Sequence, residues 1–170
     1  LGNHKPSGEL RGGKYSLYEA GARVPFVTYW KGTIEPGTSD AIISQVDWLS
    51  SLASMLGDEK LELDSENHMD LLLGKSSEGR EDIVLEATSR TAYRQGDWVL
   101  IPPYPGPKMF LTKGIETGNG DEYQLYNLTE DVSQENNLAD KMPEKRDEMM
   151  ERFLDIVGDA YQNTRRLRFD

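Results

Sequence analysis

The sequence predicts an α+β fold in which a small antiparallel sheet is packed by a C-terminal helix. Short runs rich in β-branched and aromatic residues recur between residues 83 and 128, and turn-forming residues separate them. A helical pattern with one apolar face follows, from residue 143 to about residue 161. Antiparallel strands followed by one amphipathic helix pack as two layers, with the helix on one face of the sheet.

The chain starts with an irregular segment and then a candidate strand. Residues 1–22 contain five glycines and predict a loop. The run VPFVTYW at residues 24–30 predicts a strand, because β-branched and aromatic side chains favour extended backbone. Pro25 places that strand at an edge or at its entry, since proline cannot donate to a ladder.

A helix is predicted over residues 44–56. Ser44 is a suitable N-cap, and Asp47 takes the acidic position of a capping box three residues later. Gly57 ends the helix. The apolar residues recur at helical spacing, and we expect them to pack into the core. They are Leu49, Leu52, Ala53 and Leu56.

The second half of the chain carries most of the predicted sheet. Residues 58–79 are acidic and broken by turn residues. Beyond residue 79 we predict five strands, at residues 83–87, 93–95, 98–101, 109–112 and 123–128. Gly96 and Asp97 predict a hairpin turn between two of them. The final helix begins near Pro143, because proline is tolerated in the first helical turn.

Composition excludes several classes of function. The 170 residues include 19 Lys and Arg against 30 Asp and Glu, which gives a net charge of −11. So acidic a chain is repelled by a polyphosphate backbone, and we expect no nucleic-acid partner. No apolar run reaches the length of a membrane-spanning helix, so we expect no membrane partner. Without cysteine the chain has neither a disulfide nor a thiolate metal site.

A basic, glycine-rich loop near the start departs from this acidic background. Lys14 follows Gly12 and Gly13, and Arg11 and Arg23 lie on either side. Glycine lets an anionic group approach backbone N–H groups closely, and the ammonium adds a point positive charge. Such a loop suits a sulfate or phosphate ester. Composition alone leaves open the alternative of an ordinary solvated turn.

The order of residues in this loop resembles a segment of the type I sulfatases. That segment reads roughly L-R-G-x-K-x-x-x-Y/F-E-G-G-x-R-V-P, then a strand, then W-x-G-x-I-x-P-G. This chain reads LRGGKYSLYEAGARVP from Leu10 and WKGTIEPG from Trp30. Farther on, EYQLYNLTEDVSQENNLA from Glu122 is similar to the family's E-L-Y-D-L-x-x-D-P-x-E-x-x-N-L-A. The resemblance implies a C-terminal piece of the sulfatase, alkaline-phosphatase-like, fold.

The resemblance also implies a division into three parts. Residues 1–57 would be the terminal segment of the large catalytic α/β domain, with the Lys14 loop, a strand and a helix. Residues 58–79 would be the linker. Residues 80–170 would form a small C-terminal subdomain, with an antiparallel sheet and a closing helix.

Site residues follow from the same resemblance. Lys14 matches the family lysine that contacts the sulfate, so we expect it in catalysis and in substrate binding. His4 lies before the loop, where some sulfatases have a histidine that faces the substrate or gives a proton to the leaving oxygen. Arg11 is a third candidate for substrate binding. Arg23 is expected instead to pair with Glu19 and to hold the loop.

The chain departs from the family at the nucleophile. Sulfatases make a formylglycine from the Cys or Ser of a C/S-x-P/A-x-R motif, and this chain contains neither that motif nor the family's calcium ligands. We therefore expect the N-terminal remainder of a parent sulfatase to supply formylglycine and calcium, and the isolated chain to be inactive. The resemblance implies a sulfated small molecule or glycan as substrate, and an exported, periplasmic or extracellular location.

Two alternatives remain open from the sequence. One is a non-catalytic module that binds an anionic glycan or a protein partner, for which the basic loop and the aromatic content are the support. The other is a phosphoesterase relative, because the wider superfamily shares the fold.

Overall fold

The computed structural model describes residues 6–58 and 64–161. The chain divides into two compact units, one formed by Leu1–Val24 with Ile83–Asp170 and the other by Pro25–Asp82. The predicted boundaries at residues 57 and 79 concern the domains of a larger enzyme and stay a prediction. Within the described residues, no helix combines the length and the apolar character needed to cross a membrane.

Helices and strands are numbered in chain order. The helices are α1 (Glu19–Ala22), α2 (Trp48–Met55), α3 (Met69–Leu72) and α4 (Pro143–Val157). The strands are β1 (Asp82–Ala87), β2 (Arg90–Gln95), β3 (Trp98–Ile101), β4 (Met109–Phe110), β5 (Ile115–Glu116) and β6 (Gln124–Asn127). Short 3-10 turns at Gln45–Asp47 and Gly158–Tyr161 precede α2 and follow α4. The five strands predicted beyond the linker are present, and the two-residue β5 was not predicted.

The larger unit contains a four-stranded sheet in the order β1-β2-β3-β6. Strands β2, β3 and β6 pair antiparallel, with Tyr93 opposite Leu100 and Leu100 opposite Leu125. Gly96, in the turn between β2 and β3, has a φ of 54°, which glycine adopts without steric cost. The small antiparallel sheet and its hairpin turn are therefore confirmed. Strands β4 and β5 form a separate antiparallel hairpin.

Alternating residues of β3 enter two different clusters of buried side chains, as expected for a strand with both faces covered. Val99 packs in one cluster with Leu17 and Tyr18. Leu100 packs in the other with Phe153 of α4. The helix therefore covers one face of the sheet, as predicted. Leu17 and Tyr18 of the basic loop cover the other face, which the sequence did not indicate.

Helix α4 is fixed to the sheet by two side chains one turn apart. Met149 and Phe153 are fully buried, each with a relative exposure of 0%. Burial of such a side chain contributes about 1.5–3 kcal/mol. The rings of Phe153 and Tyr93 lie 6.1 Å apart between their centroids. This contact ties the C-terminal helix to β2.

A buried ion pair organises the smaller unit. The carboxylate of Asp47 is fully buried and accepts hydrogen bonds from Arg80 Nε at 2.8 Å and from the backbone N–H groups of Ser44 at 2.8 Å and Glu66 at 3.0 Å. Burial by itself would raise the pKa of Asp47, but these hydrogen bonds outweigh it and hold the pKa below the ordinary value. The capping-box contact of the Asp47 side chain with the Ser44 backbone is confirmed. The ion pair between Asp47 and Arg80 was not predicted.

The expectation that the apolar face of α2 packs into the core is wrong. Leu49, Leu52 and Leu56 are 55%, 41% and 83% exposed. The polar face is turned inward instead, because Ser50 donates to the Ser65 carbonyl at 2.8 Å and Ser51 Oγ accepts from the His68 N–H at 2.9 Å. Hydrogen bonds to the 64–68 segment therefore decide which face of α2 is buried.

The strand predicted at residues 24–30 is likewise wrong for this chain. This run pairs with none of the described strands, and its side chains are mostly exposed, with Val27 at 87% and Tyr29 at 83%. Composition gives a segment the tendency to be extended, but a strand needs backbone hydrogen bonds to a neighbour. Phe26 packs edge-on against Trp48 of α2, with ring centroids 5.9 Å apart.

The Asp47 carboxylate makes stability depend on pH. Because its folded-state pKa is depressed, the ion pair contributes its full stabilisation above the ordinary aspartate pKa of about 3.9, and this contribution is lost as pH falls through the folded value. We expect Asp47→Asn to lower the free energy of unfolding at neutral pH by about 3–5 kcal/mol, because it leaves Arg80 without its buried partner. Urea unfolding across pH 2–7 measures this.

The exposed Asp40 provides the matched control, since Asp40→Asn removes the same charge from a solvated position. We expect that variant to unfold within about 0.5 kcal/mol of the parent chain. Equal stabilities for the Asp47 and Asp40 variants would contradict the structural role assigned to the ion pair.

Candidate functional site

The basic loop contains a tight turn with Lys14 and Tyr15 at its centre. The N–H of Ser16 donates to the carbonyl of Gly13 at 2.8 Å, which closes the turn. Tyr15 has a φ of 78°, at the turn position where positive φ ordinarily requires glycine. Lys14 is exposed at the first central position. The turn therefore displays the ammonium-bearing side chain at the surface of the larger unit.

Two glycines are required by close backbone approach around this turn. Gly12 has a φ of 86°, and a Cβ on it would lie 2.3 Å from Ser16 Oγ. A Cβ on Gly21 would lie 2.0 Å from the backbone oxygen of Ser16. The glycines of the motif thus let the loop fold back on itself, so that its two ends lie close together.

The Lys14 ammonium is held over an aromatic ring. Its Nζ lies 5.2 Å from the ring centroid of Tyr15, and the Nζ of Lys113 lies 4.5 Å from the same centroid. The Tyr15 ring meets the Phe110 ring of β4 edge-on, with 6.2 Å between centroids. Within residues 6–58 and 64–161, the Lys14 ammonium forms no ion pair, and it contacts this ring instead. Its positive charge therefore remains available to an anion.

Arg11 is turned inward, unlike Lys14. Its guanidinium forms two parallel hydrogen bonds to Glu116 of β5, at 2.8 Å and 2.7 Å, and a further one to the Gln134 carbonyl. The hydrogen bond with Glu116 raises the pKa of Arg11 and lowers that of Glu116. The predicted role of Arg11 in substrate binding stays a prediction. The observed contacts attach the start of the loop to β5 and to the turn at residues 131–136.

Glu19 attaches the other end of the loop. Its side chain is 2% exposed and accepts hydrogen bonds from Arg23 at 2.6 Å and Arg94 of β2 at 2.9 Å. The backbone N–H of Glu19 donates to Gln134 Oε1 at 2.9 Å. The pairing expected between Arg23 and Glu19 is confirmed. Sequence reasoning missed Arg94 and Gln134, since residues 75 and 115 positions away carry no local signal.

A polar pocket with a volume of about 300 Å³ lies beside this loop. Gln124 organises it, because its Oε1 accepts hydrogen bonds from the phenols of Tyr18 at 2.8 Å and Tyr126 at 2.9 Å. Burial raises the pKa of both phenols, so both stay protonated and keep these bonds. Three carboxylates line the pocket against two cations, which disfavours an anion there. They are Glu116, Asp121 and Glu122 against Arg11 and Lys108.

In residues 6–58 and 64–161, no three His, Asp or Glu side chains lie close enough together to hold a metal ion. The prediction that another part of a parent sulfatase supplies the calcium ligands stays a prediction. His4, the second predicted catalytic residue, lies outside the described residues. Of the three predicted site residues, the structure thus describes two, Lys14 and Arg11, and turns them in different directions.

Comparison with known proteins supports the sulfatase resemblance. The Sulfatase family model matches residues 2–58. An N-acetylgalactosamine-6-O-sulfatase of Bacteroides thetaiotaomicron is 40% identical over 155 residues, which is 89% of this chain and 30% of that protein. Human arylsulfatase A is 37% identical over 79 residues, covering 45% of this chain and 16% of its own length.

A solved structure shows the same fold. It comes from work on how Bacteroides thetaiotaomicron metabolises multiple glycosaminoglycans, and it matches 91% of this chain with a TM-score of 0.86 and 38% identity. This chain covers 33% of that structure's chain. The predicted resemblance and the predicted fold are therefore confirmed, and the chain spans about a third of the length of this N-acetylgalactosamine-6-O-sulfatase and of the chain in this solved structure.

Packing around the loop gives a direct test of its folded-back shape. We expect Gly21→Ala to lower the free energy of unfolding by about 1–3 kcal/mol, because the added methyl group meets the Ser16 backbone. Gly37→Ala is the control, since nothing lies within 4 Å of a Cβ at that position. Chemical unfolding followed by circular dichroism compares the two. Equal stability of both variants would contradict the close approach of Gly21 and Ser16.

Proposed function

Because this chain is similar in sequence and fold to the C-terminal portion of the type I sulfatases, we propose that it forms part of an enzyme that hydrolyses sulfate esters. The observation that carries the proposal is the exposed Lys14, an ammonium without a carboxylate partner among the described residues. It lies on a loop whose two ends are attached by ion pairs, one between the partly exposed Arg11 and Glu116 and one between Arg94 and the buried Glu19.

The proposed role of Lys14 is electrostatic. Cleavage of a sulfate ester shifts negative charge among the sulfuryl and leaving-group oxygens, and a fixed positive charge beside them stabilises the transition state. A lysine contributes most when its charge is not already neutralised and its position is set before the substrate binds. The loop meets both conditions, since its ends are attached while Lys14 and Tyr15 are exposed at the tip of the turn.

The nucleophile and the metal belong, in this proposal, to the remaining two thirds of the parent enzyme. A formylglycine and a calcium ion would be supplied there, and this chain would supply Lys14 and part of the pocket rim. The isolated chain is accordingly inactive. The proposed substrate is a sulfated carbohydrate or aryl sulfate, and the name of the Bacteroides relative favours a sulfated hexosamine. An exported location forms part of the same proposal.

The surface of the smaller unit supports an interaction with the remainder of a parent enzyme. This unit exposes several large apolar side chains, on α2 and in residues 26–30, and hydrogen bonds keep the α2 leucines turned outward. We define these exposed side chains as the apolar face of the unit, and a concentration of exposed apolar side chains is typical of an interface. We propose that this face packs against the remainder of the parent enzyme. Its residues are Phe26, Val27, Trp30, Leu49, Leu52 and Leu56.

The role of Lys14 is tested in the full-length parent enzyme with a chromogenic aryl sulfate. We expect Lys14→Ala to lower kcat/KM by about 10²–10³, the size of effect seen when one preorganised group facing transition-state charge is removed. Lys141→Ala is the control, because Lys141 is also exposed but lies just before α4. Turnover unchanged by Lys14→Ala would remove Lys14 from the site, and preference for a phosphate ester would favour a phosphoesterase.

The proposed interface is tested by one substitution in two contexts. In the isolated chain we expect Leu49→Glu to change the free energy of unfolding by no more than about 0.5 kcal/mol, because this side chain is 55% exposed. In the full-length enzyme the same substitution would bury a charge and lower the free energy of unfolding by about 3 kcal/mol. Thermal unfolding of both proteins measures the difference. Equal effects in the two contexts would exclude this face from the interface.

A further inference from the structure

We propose that Tyr15 is the positioning residue for Lys14, and that its ring holds the ammonium without neutralising it. This inference rests on the proposed function of Lys14 in sulfate ester hydrolysis. Two independent features of Tyr15 support it. One is its backbone conformation, and the other is the placement of its ring.

The backbone of Tyr15 is strained. Its φ of 78° lies in the left-handed region, where a bulky side chain is rare and costly. Such a conformation persists only where surrounding contacts impose it. Here the N–H of Leu17 donates to the Thr117 carbonyl at 2.9 Å, and the N–H of Ala20 donates to the Arg11 carbonyl at 3.0 Å. These bonds fix the chain just after the turn, so a glycine would serve the backbone better than a tyrosine does.

The side chain gives the reason for a tyrosine at this position. Its ring lies under the Lys14 ammonium and rests edge-on against Phe110 of the β4–β5 hairpin. Lys14 is thereby attached to the body of the larger unit through an aromatic contact as well as through its own backbone. An exposed lysine side chain otherwise samples many rotamers, and restricting them lowers the entropy cost of placing the charge.

The choice of a ring instead of a carboxylate has an electrostatic consequence. A carboxylate would hold the ammonium more firmly, but it would cancel the charge that a sulfate needs and would repel the sulfate itself. The quadrupole of an aromatic ring attracts a cation while adding no net charge. Lys113, 4.5 Å from the same centroid, adds a second positive charge beside the first. The arrangement therefore restricts the position of Lys14 while keeping the local potential positive.

The test uses substitutions of Tyr15 in the full-length enzyme, with and without Lys14→Ala. Tyr15→Phe keeps the ring and should retain activity within about twofold. Tyr15→Gly removes the ring and should lower kcat/KM by about three- to tenfold, the range that corresponds to loss of one cation–π contact and its positioning effect. In the Lys14→Ala background, Tyr15→Gly should cause no further loss, because the residue acts only through Lys14.

Stability measurements separate this role from a purely structural one. Tyr15→Ala and Tyr15→Gly both remove the ring, but only glycine tolerates the positive φ. We expect Tyr15→Gly to unfold at the higher urea concentration of the two, the reverse of the usual order for alanine and glycine. A drop in activity that follows this order of stability, or an equal drop with and without Lys14, would overturn the proposal.

Loss of the proposed Lys14 function and loss of the Tyr15 positioning role give different kinetic results. If Lys14→Ala leaves turnover unchanged, the proposed role of Lys14 and this inference both fall. If Lys14→Ala abolishes turnover while Tyr15→Gly matches the parent enzyme, only the positioning role of Tyr15 is overturned. Sulfatase activity sensitive to both, with the losses non-additive, supports the inference.

Discussion

The carboxylate of Glu19 has almost no access to water, and the position of the basic loop depends on it. A buried carboxylate is tolerated only when it is paired and hydrogen-bonded, and here one guanidinium comes from the same loop and the other from β2. Moving the loop away from the sheet would break the ion pair between Arg94 and Glu19 and leave these two charges apart in a poorly solvated place. The adjacent side chains Leu17 and Tyr18 are buried in the core by the same attachment. These contacts fix the loop to the sheet, although most of its residues lie outside helices and strands.

The basic residues of this loop differ in whether their charge is paired with a carboxylate. Arg11 is neutralised by Glu116, and Arg23 shares the single charge of Glu19 with Arg94. These pairs are partly or fully buried, where charge-assisted hydrogen bonds are strong and leaving one partner unpaired is costly. Lys14 differs because its charge is exposed and lies over a ring. Of the basic residues described in this loop, Arg11 and Arg23 are therefore paired with carboxylates, and Lys14 is exposed without such a partner.

Much of this fold could be predicted from the sequence because it depends on short-range patterns. Runs rich in β-branched and aromatic residues, separated by turn residues, predicted the strands, and apolar spacing after Pro143 predicted α4. The i,i+4 pairing of Arg23 with Glu19 was equally local. Arg94 and Gln134 escaped prediction since their contacts with Glu19 depend on tertiary folding. Apolar periodicity in α2 was read correctly as a helix, but periodicity reports only that one face is apolar. It does not report whether the partner for that face lies in the same chain.

The wrong prediction for the α2 leucines has counterparts elsewhere in the chain. Within the described residues, the run at 24–30 has the composition of a strand but no neighbouring strand, and the α2 leucines have the spacing of a core helix but are exposed. Lys14, in the other unit, is exposed without a carboxylate partner among the described residues, and its proposed role needs a nucleophile from elsewhere. In each case a local sequence pattern has no matching partner among the described residues. The proposed parent enzyme would account for all three. A relative about three times as long supplies a body large enough to provide the neighbouring strand, the apolar surface and the reactive group together.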